Sequence, residues 1–181
     1  MVKLTVGVKE FTQKLIVKKD PNSAGTLEDI QAQVKLSLEI KDELDSVVDN
    51  INAIEWIRKQ IYDLIDLLKS EKSAPSVVKA ALKLDKKIMA IEDHYFQRIL
   101  AEGDLKSFRA PNKLYSQLAL IAGDIAGSAD FPPTDQQIEV HEELKKELAD
   151  AEAELSELLD KDIAAFNTLL KEKNIPSIIT K

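Results

Sequence analysis

The stretch "TLEDIQAQVKLSLEIKDELDSVVDNINAIEWIRKQIYDLIDLLKS", residues 26–70, decides the fold. It holds neither Gly nor Pro, and Ile40, Leu44, Val47, Ile51, Ile54, Ile57, Ile61, Leu64 and Leu68 advance by threes and fours. That spacing gathers them on one side of a helix, and a continuous helix of this length runs about 65 Å at ~1.5 Å per residue. Thr26 before "LEDI", with Asp29 three residues on, supplies a start signal close to a capping box.

Downstream, "KSAPSV" at 72–77 interrupts, because Pro75 opens a helix but cannot continue one. A second stripe follows on Ala81, Leu84, Ile88, Ile91, Tyr95 and Ile99, with Gly103 as its stop. "DLKSFRAP" reads as a loop whose Leu105 and Phe108 cover a bundle end, and Pro111 starts a shorter helix on Leu114, Leu118, Ile121 and Ile125. After "GSADFPPTDQQ" at 127–137, Thr134 and Gln137 form a T-x-x-Q capping box. The last helix runs to about Asn174 on Ile138, Leu144, Leu148, Ala151, Leu155 and Leu158, then Leu159, Ile163, Phe166 and Leu170. Its change of stripe near residue 158 is read as the drift of a straight helix against a heptad. Second apolar lines such as Val48 and Ile65 favour a self-contained bundle over an obligate two-chain coiled coil.

The expected fold is therefore mainly α: an elongated antiparallel four-helix bundle over 26–181 with an N-terminal β-hairpin over 1–20 and a linker over 21–25. In the hairpin, Val2, Leu4 and Val6 alternate with polar neighbours, as do Phe11, Leu15 and Val17, which gives it one apolar face. With Val8 and Lys9 at the turn, Val6 should face Phe11 and Val2 should face Leu15. In an up-down-up-down order the hairpin should lie near the tail "NIPSIITK".

Composition excludes several functions. The 181 residues include no Cys, which removes disulfides, thiolate metal sites and a cysteine nucleophile, and the 25 basic against 32 acidic side chains give a charge of −7. That balance disfavours nucleic acid and anionic membrane surfaces as partners. The start "MVKLTVGV" lacks the pattern of a secretory signal, and no apolar run approaches the length of a membrane span.

Chemistry-bearing motifs are sparse. Ile91 and Ile138 stand three residues before His94 and His141, so the Glu-x-x-His pairs of di-metal bundles do not occur. "VHEEL" begins like a zincin helix, but Lys145 stands where the second His belongs. His141 is expected at the boundary of the apolar stripe and His94 in solvent. Acidic runs such as "KDELD" and "HEELKKELADAEAELSE" read as solvated faces with three- and four-spaced ion pairs. No phosphate-binding or nucleophile-elbow motif is present. The expectation is no catalytic residue, cofactor or metal. Trp56, off the main stripe between Asn52 and Gln60, is either a cover for a neighbouring helix or a protein contact.

Four stretches, "LTVGVKEFTQKLIVKKDPN", "DIQAQVKLSLEIKDEL", "PPTDQQIEVHEEL" and "DIAAFNTLLKEKNIPSI", resemble in order and spacing the C-terminal region of large bacterial sortilin-like proteins built on BNR-type β-propeller repeats. In that family an immunoglobulin-like or fibronectin III-like segment ends in a hairpin that runs into a helical tail. The resemblance implies that 1–20 is the remnant of a preceding β domain and that the parent is secreted, to the exterior or the periplasm. It also implies that the helical module packs against or spaces those β domains. Where the family's hairpin usually reads Tyr-Thr-Gln-Pro-Leu, this chain has Phe11, Thr12, Gln13, Lys14 and Leu15. Phe11, Leu15, Val17 and Trp56 are the expected protein contacts, with the preceding β domains or another protein as partner and a monomer as the isolated fragment. An independent helical adaptor binding another protein through a helix face is the alternative.

Overall fold

The computed structural model describes residues 1–70, 74–98 and 109–180. The expected stop at Gly103 and the covering roles of Leu105 and Phe108 lie outside these residues. Among the described residues the fold is mainly α: four helices behind an N-terminal two-stranded antiparallel hairpin. Strands β1 (Val2–Val6) and β2 (Lys9–Gln13) precede α1 (Leu27–Ser70), α2 (Pro75–Tyr95) and α3 (Leu114–Ala126). The last long helix consists of α4 (Asp135–Glu157), a π-helical turn over Leu158–Ile163, and α5 (Ala164–Glu172).

Both expected caps form. Thr26 Oγ1 accepts from the Asp29 amide at 3.1 Å while Asp29 Oδ2 accepts from the Thr26 amide at 2.8 Å, so a shorter acid closes the box that Glu usually closes. Thr134 and Gln137 make the reciprocal pair at the start of α4. At the far end Asn174, in the left-handed region at φ 56°, stops α5. The Asn174 amide donates to the Lys171 carbonyl and the Ile175 amide to that of Leu170, a Schellman motif with Asn in the usual glycine position.

The helices do not alternate in direction. Glu43 of α1 meets His141 of α4, and Ser46 and Asn50 further along α1 meet Glu152 further along α4, so these two helices are parallel. Arg58 pairs with Asp85 and Glu92 of α2, and Gln33 near the start of α1 reaches the Ile125 carbonyl at the end of α3. Both α2 and α3 thus run back along α1, one after the other, and the cross-section holds three helices. Helix lengths explain the path: α2 and α3 together, roughly 50 Å at ~1.5 Å per residue, match most of the ~65 Å of α1, which neither covers alone. The hairpin accordingly leaves the end of the rod where α3 meets α4, with Gly25 packed against Asp130, whereas the tail lies at the opposite end beside Gln60. The expected proximity of hairpin and tail is corrected.

The core is continuous along the rod and built from aliphatic side chains, with Tyr95 and Phe166 as its aromatic members. Buried Ile40, Val47, Ile54, Ile61, Ile65 and Leu68 keep to a three-four repeat in α1, and Val77, Ala81, Leu84, Ile88, Ile91 and Tyr95 do so in α2. Ile65 thus belongs to the main seam, while Val48, grouped with it as a second line, is exposed. In α4 the repeat reads His141, Leu144, Leu148, Ala151, Leu155, Leu158, and then steps by five to Ile163 before Phe166 and Leu170. One extra residue in a helix is a π turn. The stripe change at 158 is therefore a local insertion rather than gradual drift.

In the hairpin, Leu4 pairs with Phe11 and Val2 with Gln13, across a two-residue turn at Gly7 and Val8. Gly7 at φ 62°, with positive φ at the first turn position alone, suits a type II′ turn. This moves the turn one residue from the expected Val8–Lys9, and Leu15, Ile16 and Val17 lie beyond β2. Val2, Leu4, Val6 and Phe11 still share one face, as cross-strand partners must.

Two glycines separate steric from conformational effects. A Cβ at Gly25 would stand 2.0 Å from the Asp130 carbonyl oxygen, whereas one at Gly123 meets nothing within 4 Å. Gly25→Ala should cost ~1–3 kcal/mol, and Gly123→Ala, inside α3, should gain up to ~1 kcal/mol. Urea unfolding of the two variants checks both signs.

Candidate functional site

Polar side chains on the seam are few, and each joins two elements. Arg58 stands where the α1 repeat calls for an apolar residue, four after Ile54 and three before Ile61. Its Nε donates to Asp85 Oδ1 at 3.0 Å and its Nη1 to Glu92 Oε2 at 2.5 Å. Its Nη2 donates to the Tyr62 hydroxyl at 3.2 Å, which in turn donates to Asp85 Oδ2 at 2.9 Å. Arg98, bound to Asp93 at 2.9 Å, lies 3.8 Å from the same Glu92 oxygen. Asp85 and Glu92 are one heptad apart on α2, so the guanidinium spans two turns of its neighbour. Burial holds the Glu92 carboxyl above its ordinary pKa, against the opposing pull of Arg58 and Arg98.

A second polar group lies between the parallel helices. His141 is buried, and its Nε2 faces both Glu43 oxygens at 3.0 and 2.9 Å. This corrects the expected boundary position: the seam runs through His141, and it is Ile138 that is exposed. The three-four count back from Leu148 and Leu144 could have found it. His94 is half exposed, as expected, and pairs with Glu154 at 3.4 Å. Further along, Ser46 donates to Glu152 at 2.5 Å and Asn50 donates to the same oxygen at 3.4 Å. Beside them the buried Tyr95 hydroxyl has no hydrogen-bond partner among the described residues, the nearby Asn50 amide donating to Glu152. Burial first, then Glu152 and Glu154, pushes the Tyr95 phenol up.

His94 and Glu154 line, with Glu147 and Asp150, a cleft of about 230 Å³. The clefts along the rod are open and shallow, such as one of about 240 Å³ between α2 and α5 lined by Leu84, Lys87, Asp162 and Phe166. Among the described residues no three His, Asp or Glu side chains are placed to hold a metal ion, and no helix is long and apolar enough to cross a membrane.

The sequence-predicted contact residues are all exposed but not gathered. Trp56 is 46% exposed on α1, while Phe11 (57%), Leu15 and Val17 belong to the N-terminal segment. About 45 Å of helix separates Trp56 from Thr26, where that segment joins α1, at ~1.5 Å per residue. Every residue of both strands is exposed, and a cleft beside the hairpin is lined by Val2, Leu4, Phe11 and Leu15 with no helix residue. Charge separates the two parts as well. Residues 1–19 hold Lys3, Lys9, Lys14, Lys18 and Lys19 against Glu10 alone, a balance of +4, so the rest of a chain of −7 carries −11. Sequence inspection at the level of total charge missed this asymmetry.

No family model matches the chain, and neither a curated protein nor a solved structure matches it.

The Arg58 network supports two measurements. Arg58→Ala leaves Asp85 and Glu92 buried without their cation and should cost ~3 kcal/mol or more in urea unfolding. Because the folded chain binds the Glu92 proton more tightly than the unfolded chain, protonation favours folding. This contribution is fully present below the unfolded pKa and is lost as pH rises through the raised folded value. The stability of the wild type relative to Glu92→Gln should therefore fall as pH rises above the usual carboxylate range of about 4.

Proposed function

We propose that this chain is a non-catalytic helical module of a larger secreted bacterial protein. In this reading hairpin 1–20 closes a preceding β domain, and the rod packs against or spaces that domain. One observation carries it: the hairpin has an apolar face, Val2, Leu4, Val6 and Phe11, and no described residue of the rod covers that face. A two-stranded hairpin is marginal alone in water, and covering four such side chains is worth several kcal/mol at ~1.5–3 kcal/mol each. The likeness of this stretch to the last hairpin of sortilin-like BNR-repeat proteins supplies a covering domain of the right kind. Gly25, seated against Asp130, supports a defined root for the joint. The separated charges favour a covering surface that is acidic at its rim.

An independent adaptor is the second reading. It is favoured by an open groove between α3 and α4, where Leu120 and Val140 are exposed beside Ile121.

Amide exchange on two polypeptides tests the first reading: the 181-residue chain, and the same chain carrying the in-frame residues encoded before Met1. Strand amides such as Leu4 and Phe11 should exchange freely in the former and be protected in the latter. Phe11→Ser should leave the unfolding temperature of the former unchanged and cost the latter ~3 kcal/mol. Equal exchange in both polypeptides sinks the reading.

A further inference from the structure

Opposite α1, the two flanks of the rod meet in a second seam, between α2 and α3 on one side and α4 and α5 on the other. Charge is sorted along it. On α4, Glu143, Glu147, Asp150 and Glu154 advance by four, three and four, and all are exposed. On α2, Lys79, Lys83, Lys86 and Lys87 are exposed, while Asp85 and Glu92 of the same helix are turned inward onto Arg58. His94 meets Glu154 and Lys87 meets Asp162, so α2 runs antiparallel to α4 and α5. Lys83 accordingly lies level with Phe166, across a cleft that both line. The centre of the basic stripe is thus displaced along the rod from that of the acidic one by about 18 residues, or ~27 Å.

We propose that this seam is a self-complementary interface whose partner is a second copy of this chain, lying antiparallel to the first, in place of the monomer expected from the sequence. Like charges at four-residue spacing destabilise a helix, yet Lys79 and Lys83, Glu143 and Glu147, and Asp150 and Glu154 are spaced so. Elsewhere the chain does the reverse: Lys35 with Glu39, Lys41 with Asp45, Lys59 with Asp63 and Glu157 with Lys161 pair within a helix. Among the described residues Lys79, Lys83, Lys86, Glu143, Glu147 and Asp150 form no ion pair. A two-fold axis crossing the seam midway between the stripes sets each basic stripe on the acidic stripe of the other copy, as an isologous contact requires. That midpoint falls near Glu157, close to the middle of the α4 to α5 helix, so the two rods overlap along nearly all of it. A strip ~10 Å wide over ~57 Å of helix buries ~1,100 Å² in total, at the lower end of specific interfaces. Lys83 of the second copy then reaches the cleft of about 230 Å³ that Glu147, Asp150 and Glu154 line. A polyanion such as nucleic acid is a poorer partner, because the acidic half of the same face repels it. The interface leaves the hairpin free and stands apart from the role proposed for it.

Sedimentation equilibrium of the 181-residue chain tests this pairing. A dimer is expected at ~20 mM salt, and raising the salt to ~500 mM, where the Debye length falls to ~4 Å, should weaken it at least about tenfold. Lys79→Glu with Lys83→Glu sets acid against acid, and Glu143→Lys with Glu147→Lys sets base against base, so each double variant alone should be monomeric. Mixed in equal amounts, the two should form a one-to-one dimer, because both of its contacts then join opposite charges. All four positions are exposed, and each variant should keep the wild-type helicity. Should either reversal fail to fold, Lys83→Gln and Glu147→Gln take its place, each weakening the wild-type dimer about threefold. A wild type that is monomeric at low salt, a dimer that these substitutions leave intact, or reversed variants that stay monomeric when mixed overturns the proposal.

Discussion

The apolar seam of α1 is the constraint on which the rest of the structure depends. A helix of 44 residues whose apolar three-four repeat runs from Ile40 to Leu68, broken at Arg58, must be covered along that seam, and a long exposed aliphatic stripe is not tolerated in water. Neither α2 nor α3 is long enough to do this alone. Placed in series they cover one flank, and the continuous α4 to α5 helix covers the other. The chain can then reach both flanks only if its last helix runs parallel to its first, because two successive segments have already travelled the return path. Three helices in cross-section follow from the arithmetic of lengths, although the described residues form four.

Apolar seams alone leave the sliding position of helices weakly specified, and here polar residues on the seam remove that freedom. Gln33, Arg58 and His141 each occupy a position that the repeat reserves for an apolar group, and each finds its partner on a different helix. Gln33 sets the end of α3, Arg58 sets α2, and His141 sets α4 against α1. Sliding α2 by one turn would strand Asp85 and Glu92 without their guanidinium, a cost of several kcal/mol. Desolvation offsets part of the attraction in such a buried network, and burial holds the Glu92 carboxyl above its ordinary pKa. The π turn belongs to the same problem. Its extra residue turns Ile163 and Phe166 back toward the core and places Asp162 outside, where Lys87 of α2 pairs with it at 2.5 Å.

Local signals were the most legible part of the sequence. Both capping boxes, the Pro75 start and the positions of four helices follow from residues within one or two turns, because the physics that forms them acts over that range. Helix direction is different. Periodicity says which face is buried but not what buries it, so lengths had to be weighed against one another, and an alternating path is only the default for short connections. The π turn was not legible, because Leu159 offers a regular count of Leu155, Leu159, Ile163 and Phe166, and the burial of Leu158 is what reveals the step of five. Arg58 and His141 were legible once the repeat was counted strictly, instead of being drawn through the nearest apolar residues. The hairpin's register was misjudged because alternation constrains faces and leaves the turn free; Gly7, able to hold positive φ, decides it.

The two extended segments at the ends of the rod separate two requirements that a sheet normally meets together. An extended chain must satisfy its backbone polar groups and must cover its apolar side chains. The tail meets both on the rod, through the Asn167 and Gln60 carboxamides and the seat of Ile178. The hairpin meets the first in part, through its own inward-facing ladder, and the second not at all. A linker rooted at Gly25 and a rod with exposed Leu120 and Val140 at that end leave the hairpin's apolar face exposed, although residues 1–20 carry +3 and the rest of the chain −10. Electrostatic attraction in water at such distances is weak and screened. The flat apolar face of two strands is matched in shape by a second sheet packed face to face rather than by helices whose side chains stand in ridges.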